Sequence, residues 1–200
     1  MEANFLVVGV GGQGTILAGD ILAEVGMSGG FDAKKSDILG LAIRSGSVVS
    51  HIRWGGEVHS PMSMLGQVDY LLAFEPLESL RMVGYLKADS TVIVNDYPIP
   101  PVAVTTGQVQ YPSREQIDGI LRAASARYYS INVTEKATRL GNVKVVNIML
   151  LGSLSVLLDI PAALWEQTIE KYVPPKLIDV NRRAFREGRK LIAEQGKVIS

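Results

Sequence analysis

Apolar positions fall into short unbroken runs in the first two thirds of the chain and into helical spacings between and after them. Phe5-Leu6-Val7-Val8 enters a glycine cluster without a polar break, the pattern of a strand covered on both faces of a parallel sheet. Leu17, Ala18, Ile21, Leu22 and Val25 then recur at three- and four-residue spacing, which predicts a helix from about Gly12 to Val25, stopped by Gly26 and Gly29-Gly30. Phe31–Lys35 reads as a polar second strand. Ser47–Trp54 and Glu57–Met62 flank Gly55-Gly56, a two-residue turn signal that predicts a β-hairpin.

Tyr70–Phe74 and Thr91–Asn95 repeat the buried-strand pattern, and Pro76 suits the first position of a helix after the former. Prolines 98, 100, 101 and 112 predict a long extended connection over 97–112. Ser113 caps a helix to about Ala124, Tyr128–Val133 returns as a strand, and helices follow near Thr134–Leu140, Val145–Leu158, Pro161–Tyr172 and Pro175–Glu194. Val145–Leu158 is apolar but shorter than the ~20 residues of a membrane span, so it predicts a buried core helix. Strands alternating with helices, then a mostly helical last third, predict an α/β fold. No repeat or biased linker divides the chain, so residues 1–200 are expected to form a single domain.

Charge changes the picture by what it removes. Twenty Lys+Arg balance twenty Asp+Glu, leaving no net field to attract nucleic acid or an anionic membrane, and favouring association with other chains. Cysteine is absent, which excludes disulfides, thiolate nucleophiles and any cysteine-held iron–sulfur cluster within this chain. The start Met1-Glu2-Ala3-Asn4 carries no basic, cleavable leader, so a cytoplasmic protein is expected.

The densest motif is Gly9-Val10-Gly11-Gly12-Gln13-Gly14-Thr15, a G-x-G-x-x-G that follows a strand and opens a helix. Such a turn lets backbone approach a ligand and offers free N–H groups to an anion, although glycines also serve simply to make a tight turn. A nicotinamide reading needs an acid at the end of the second strand, where Asp32 lies too early and Asp37 too late. Thr15-Ile16 stands where a phosphate-binding Lys-Ser/Thr pair would be. Arg44-Ser45-Gly46-Ser47 suits a loop that grips an anion or a carboxylate, and Ser50 and Arg53 follow on the next strand. Alternation puts Val49, His51 and Arg53 on one face of it, Ser50 and Trp54 on the other.

Other constellations carry less. His51 and His59 would face opposite sides of the predicted hairpin, which disfavours a shared metal. Tyr172 and Lys176 have reductase spacing, but Pro174-Pro175 interrupts the helix that this chemistry requires. Arg182, Arg183, Arg186, Arg189 and Lys190 make a basic helix with no interleaved aromatics, more simply a solvated face than a nucleic-acid surface. No serine-hydrolase elbow is present.

Three ordered blocks resemble one family. They are the glycine loop through Thr15, then Gly40-Leu41-Ala42-Ile43-Arg44-Ser45-Gly46-Ser47-Val48-Val49-Ser50-His51-Ile52-Arg53, then Tyr70-Leu71-Leu72-Ala73-Phe74-Glu75-Pro76-Leu77-Glu78. The chain resembles the gamma-type subunit of 2-oxoacid:ferredoxin oxidoreductases over nearly its whole length, with the indolepyruvate type nearest, down to Asn147 in the apolar helix. It departs at Ile43 and at Ser45, flanking Arg44, where the family often has a polar residue and a glycine.

The resemblance implies a Rossmann-like, mostly parallel sheet with a β-hairpin insertion and a helical C-terminal third. It also implies a complex that oxidatively decarboxylates a 2-oxoacid to an acyl-CoA and reduces ferredoxin. Thiamine diphosphate, Mg and [4Fe-4S] clusters would reside on a larger partner subunit, with coenzyme A as co-substrate, no catalytic residue on this chain, and no nucleic-acid or membrane partner. Gly9, Gly11, Gly12, Gln13, Gly14, Thr15, Arg44, Ser45, Gly46, Ser47, Ser50 and Arg53 would then face a ligand or the partner's active centre. A stand-alone NAD(P)-dependent dehydrogenase and a nucleotide-binding module remain the alternatives.

Overall fold

A computed structural model describes residues 2–40 and 46–195. Six strands form one sheet in the order β2-β3-β1-β4-β5-β6: β1 (Ala3–Val10), β2 (Asp32–Leu39), β3 (Ser47–Gly55), β4 (Val68–Ala73), β5 (Leu86–Asn95) and β6 (Arg127–Ile131). Strands β1, β4, β5 and β6 are mutually parallel, whereas β3 runs antiparallel to both of its neighbours, β1 and β2. The helices are α1 (Thr15–Ser28), α2 (Pro76–Arg81), α3 (Val102–Thr105), α4 (Arg114–Ala124), α5 (Val133–Arg139), α6 (Val146–Ser155), α7 (Ala162–Tyr172) and α8 (Ile178–Gln195).

The all-apolar strands are so because both faces are covered. Phe5, Val7, Ile52, Trp54, Leu72 and Ile93 face a core shared with Ala18, Ile21, Leu22 and Val25 of α1 and with α6. Leu6, Val8, Leu71, Val92 and Val94 face a smaller core closed by Ile117 and Leu121 of α4. Every residue of α6 is buried, as a helix with apolar residues on every side demands. Its closest neighbour is α8, and a Cβ on Gly188 would collide with the Met149 carbonyl oxygen, so glycine there lets the two backbones touch. The capping box of Ser113 and Gln116 starts α4 as its sequence predicts.

The predicted hairpin is replaced by a different pairing. Residues 57–62 form no strand, and β3 is instead an inner strand, paired with β2 from Asp32↔Gly55 to Leu39↔Val48 and with β1 from Ala3↔Trp54 to Val10↔Ser47. Gly55-Gly56 marks where β3 ends, and Val58 N donates to Asp32 Oδ2 at 2.7 Å to turn the chain back across the sheet edge. Strand β2 is more polar than the inner strands because it is an edge, where Lys34 and Lys35 discourage further pairing. The connection after β5 also differs from expectation by holding the short α3.

Candidate functional site

The glycine loop joins β1 to α1 at the end of the sheet where the parallel strands finish. Gly12 (φ 95°) and Gly14 (φ 82°) take left-handed backbone, which side chains with a Cβ resist. Gly14 is the N-cap of α1 and supplies no side-chain cap; the first helical bond is Ala18 N to Gly14 O at 3.0 Å. The N–H groups of Thr15, Ile16 and Leu17 therefore precede the hydrogen-bonded ladder, at the positive end of the helix dipole. Thr15 is buried, and its Oγ1 has no partner among the described residues.

Gln13 was a candidate to face a ligand, and the structure gives it a fastening role as well. Its Oε1 accepts from Val10 N at 2.7 Å and its Nε2 donates to Phe74 O at 3.0 Å, tying the ends of β1 and β4. Gly9 lies within β1 opposite Val48, while Gly11 N donates to Gly46 O at 2.9 Å, which brings Gly46 and Ser47 beside the loop. Arg44 and Ser45 lie outside the described residues.

A cleft of about 480 Å³ opens on the loop, walled by Gly12, Gln13, Gly14, Tyr97, Ile99, Thr134, Lys144 and Asn147 among others. It combines backbone donors, the cation of exposed Lys144 and an apolar side including Tyr97, Ile99, Val143 and Val146. Buried Asn95 shapes it: Nδ2 donates to Phe74 O (3.1 Å) and Thr134 Oγ1 (2.9 Å), and Oδ1 accepts from Val133 N and Thr134 N. Tyr97, Thr134 and Lys144 had no motif to mark them, because they come from segments distant in sequence. Asn147 did carry a signal, as an amide inside an apolar run. A second concavity of similar volume lies on the other flank of the loop, between Ile16, Asp20 and Val48.

Two buried carboxylates stand behind Ser47. Glu78 accepts from Ser47 Oγ at 2.5 Å and pairs with Arg81 Nε at 3.2 Å. Glu75 caps α2 by accepting from Glu78 N (2.9 Å), and also accepts from Ile99 N (3.1 Å) and from the Tyr111 hydroxyl. Burial, then this hydrogen bond, push the Tyr111 phenol well above its ordinary range. Glu75 thus pins both ends of the proline-rich connection beside the cleft.

Ser50 and Arg53 do not join this site. Ser50 is fully buried against α1 and donates to Asp37 Oδ1 at 2.5 Å, and Asp37 and Asp20 both bind Lys35 Nζ at 2.7 Å. Burial disfavours the charged lysine, but these two carboxylates outweigh it and raise its pKa. Arg53 pairs with Asn4, near the start of β1, whereas Ser47 pairs with Val10 at its end. At about 3.4 Å per strand residue, Arg53 lies ~20 Å from the loop.

The remaining constellations resolve separately. His51 is buried, His59 is exposed beside Glu57, and the two share no partner among the described residues. Tyr172 ends α7, and α8 begins only after Lys176, so no helix face holds the two together. The basic residues of α8 largely meet acids of α7: Arg182 with Glu170 at 2.6 Å and Arg186 with Glu166 at 2.8 Å. As for a dinucleotide, β3 lies between β1 and β2, so the end of β2 is displaced from the loop by one extra strand, about 4.8 Å, and Asp37 there is already committed.

Comparison with known proteins gives the family and supports the fold. The family model of pyruvate ferredoxin/flavodoxin oxidoreductase matches residues 4–191. The chain is 36% identical over 196 residues to the indolepyruvate oxidoreductase subunit IorB of Pyrococcus horikoshii, covering 96% of this chain and 97% of that protein. Its fold is similar to a keto/oxoacid ferredoxin oxidoreductase gamma subunit from Geobacter sulfurreducens, with TM-score 0.71 and 23% identity over 96% of this chain and 99% of that one. It is also similar to part of a 2-oxoglutarate:ferredoxin oxidoreductase from Magnetococcus marinus, solved with 2-oxoglutarate, coenzyme A and succinyl-CoA, with TM-score 0.73 and 18% identity over 96% of this chain and 31% of that one. These matches favour the oxidoreductase-subunit reading over the stand-alone NAD(P) dehydrogenase. The chain belongs to the pyruvate ferredoxin/flavodoxin oxidoreductase family.

Proposed function

We propose that this chain, as a single gamma-type domain, is the small subunit of an indolepyruvate-type 2-oxoacid:ferredoxin oxidoreductase working in the cytoplasm. The observation that carries the reading is the 36% identity to an IorB subunit across nearly the full length of both chains. With no cysteine, this chain cannot supply thiolates to an iron–sulfur cluster, so electron transfer to ferredoxin belongs to a larger partner. That partner also carries thiamine diphosphate with its Mg, which supplies the decarboxylation chemistry.

The contribution of this chain is the glycine-loop cleft, which fits the anionic end of coenzyme A. Its volume lies within the ~300–1,000 Å³ typical of ligand sites. The start of α1, which meets the cleft at Gly14 and Leu17, and the Lys144 ammonium suit phosphate oxygens, and Tyr97 with Ile99 offers an apolar wall to the rest of the nucleotide.

Affinity purification of the tagged chain tests the proposal. A cysteine-rich, thiamine-dependent partner is expected to accompany it, and the pair to reduce ferredoxin only when arylpyruvate and coenzyme A are both present. A lone chain that oxidises or reduces substrate with NAD(P) would overturn it.

A further inference from the structure

Arg53, carried away from the glycine loop, leads to a second cleft. This cleft, about 220 Å³, opens where β1 begins and is lined by Asn4, Arg53, Ser63, Met64, Leu65 and Gln67. Two side chains of β3 fasten the segment that forms its rim. His51 Nδ1 accepts from Ser63 N at 3.2 Å, and Arg53 Nη1 donates to Ser60 O at 3.0 Å. Arg53 Nε donates to Asn4 Oδ1 at 2.7 Å, which holds the guanidinium plane against the strand.

The fastened segment turns large apolar groups to water: Met64 is 76% exposed and Leu65 69%. Fixing such a segment adds little to the core, and what it does provide is a surface already ordered for association. Beneath those side chains, polar capacity is left over. Among the described residues Arg53 Nη2 donates to no acceptor, and Ser63, only 6% exposed, has a hydroxyl with no partner. Among the described residues no acid lines the cleft, and nearby Asp69 is occupied by Lys87 at 2.5 Å and by Asn4 N at 2.7 Å.

A guanidinium edge beside a hydroxyl is a donor pair for a carboxylate, and a cation surrounded by exposed aliphatic side chains has the anatomy of an interface anchor point. We infer that this cleft seats a carboxylate and its neighbouring aliphatic side chain, presented by a protein segment of a partner chain. The inference rests on the subunit reading only in taking a protein segment, not a free metabolite, as the occupant. It places the docking point at the end of the sheet opposite the glycine loop, which leaves the loop open to its ligand.

The test is a nuclear magnetic resonance titration of the isotope-labelled full chain with N-acetyl-leucine, N-acetyl-leucinamide and acetate. N-acetyl-leucine should shift the Ser63, Met64 and Leu65 amides and the Arg53 Nε–H, and the amide should bind about tenfold more weakly, the loss of a charge-assisted hydrogen bond. Ser63→Ala should weaken the acid several-fold while leaving the fold intact. Arg53→Lys should do so too, and if it unfolds through loss of the Asn4 and Ser60 bonds, Ser63→Ala carries the test. Equal binding of acid and amide, or no shift at these residues, overturns the inference, and acetate binding as tightly as N-acetyl-leucine overturns the peptide occupant. The subunit reading is judged separately by co-purification and coenzyme A dependence, so the two can fail independently.

Discussion

Gln13 and Phe74 are joined across the ends of two parallel strands: the Gln13 amide donates to the Phe74 carbonyl at 3.0 Å while its oxygen accepts from Val10 N at 2.7 Å. The contact sets the shape of the glycine loop from below, so the loop's conformation depends on β4 as well as on its own glycines. Gln13→Ala leaves Val10 N without that acceptor, whereas Phe74 O keeps Asn95 Nδ2 at 3.1 Å. The expected cost is about 1–3 kcal/mol of unfolding free energy, measured by denaturant titration, together with weaker coenzyme A binding by calorimetry.

Gly14 and Gly12 separate two effects of a left-handed residue. A Cβ on Gly14 would stand 3.0 Å from Asn147 Nδ2, whereas one on Gly12 would meet nothing within 4 Å. Gly12→Ala should therefore cost about 1 kcal/mol from backbone strain alone. Gly14→Ala should cost more, about 2–3 kcal/mol, because Asn147 must also shift within a buried helix. Thermal melts of the two variants side by side check the order, and an equal loss would remove the role given to Asn147.

Tyr111 predicts an alkaline limit to stability. Burial and Glu75 raise its pKa above the ordinary 10.0, so the folded chain holds the phenolic proton more tightly than the unfolded chain. The sign follows: this stabilisation is complete below pH 10.0 and is lost as pH rises from there toward the folded value. Tyr111→Phe should be less stable at neutral pH yet show a flatter decline above pH 10, read from melts across alkaline buffers.

Among the described residues Lys144 is the one lysine or arginine lining the glycine-loop cleft, and it is exposed. Lys144→Glu should leave the melting temperature nearly unchanged and weaken coenzyme A binding about tenfold or more. Raising the salt concentration should weaken the native chain's binding more than the variant's, because screening acts on the charge that the variant lacks. Unchanged affinity in Lys144→Glu would place the anion elsewhere.

Much of this was legible along the chain. The unbroken apolar runs of β1, β4 and β5 announced strands covered on both faces, and the largely apolar α6 announced a buried helix. The glycine loop stood out because left-handed backbone leaves a mark in residue type, and the absence of cysteine fixed where clusters cannot be. Alternation also placed Val49 and Trp54 correctly on opposite faces of β3.

Tertiary structure alone decided which strands are neighbours and which end of the sheet each residue reaches. Periodicity reports the face of an element but carries no information on its partner, so the Gly55-Gly56 signal suggested a hairpin where β3 inserts between β2 and β1. Strand direction then did what motif proximity could not. Because β3 runs antiparallel to β1, Ser47 meets the loop while Arg53, six positions on, belongs to the opposite end. Tyr97, Thr134 and Lys144 converge on the cleft from separate connections, through long-range packing that leaves no local pattern in the sequence.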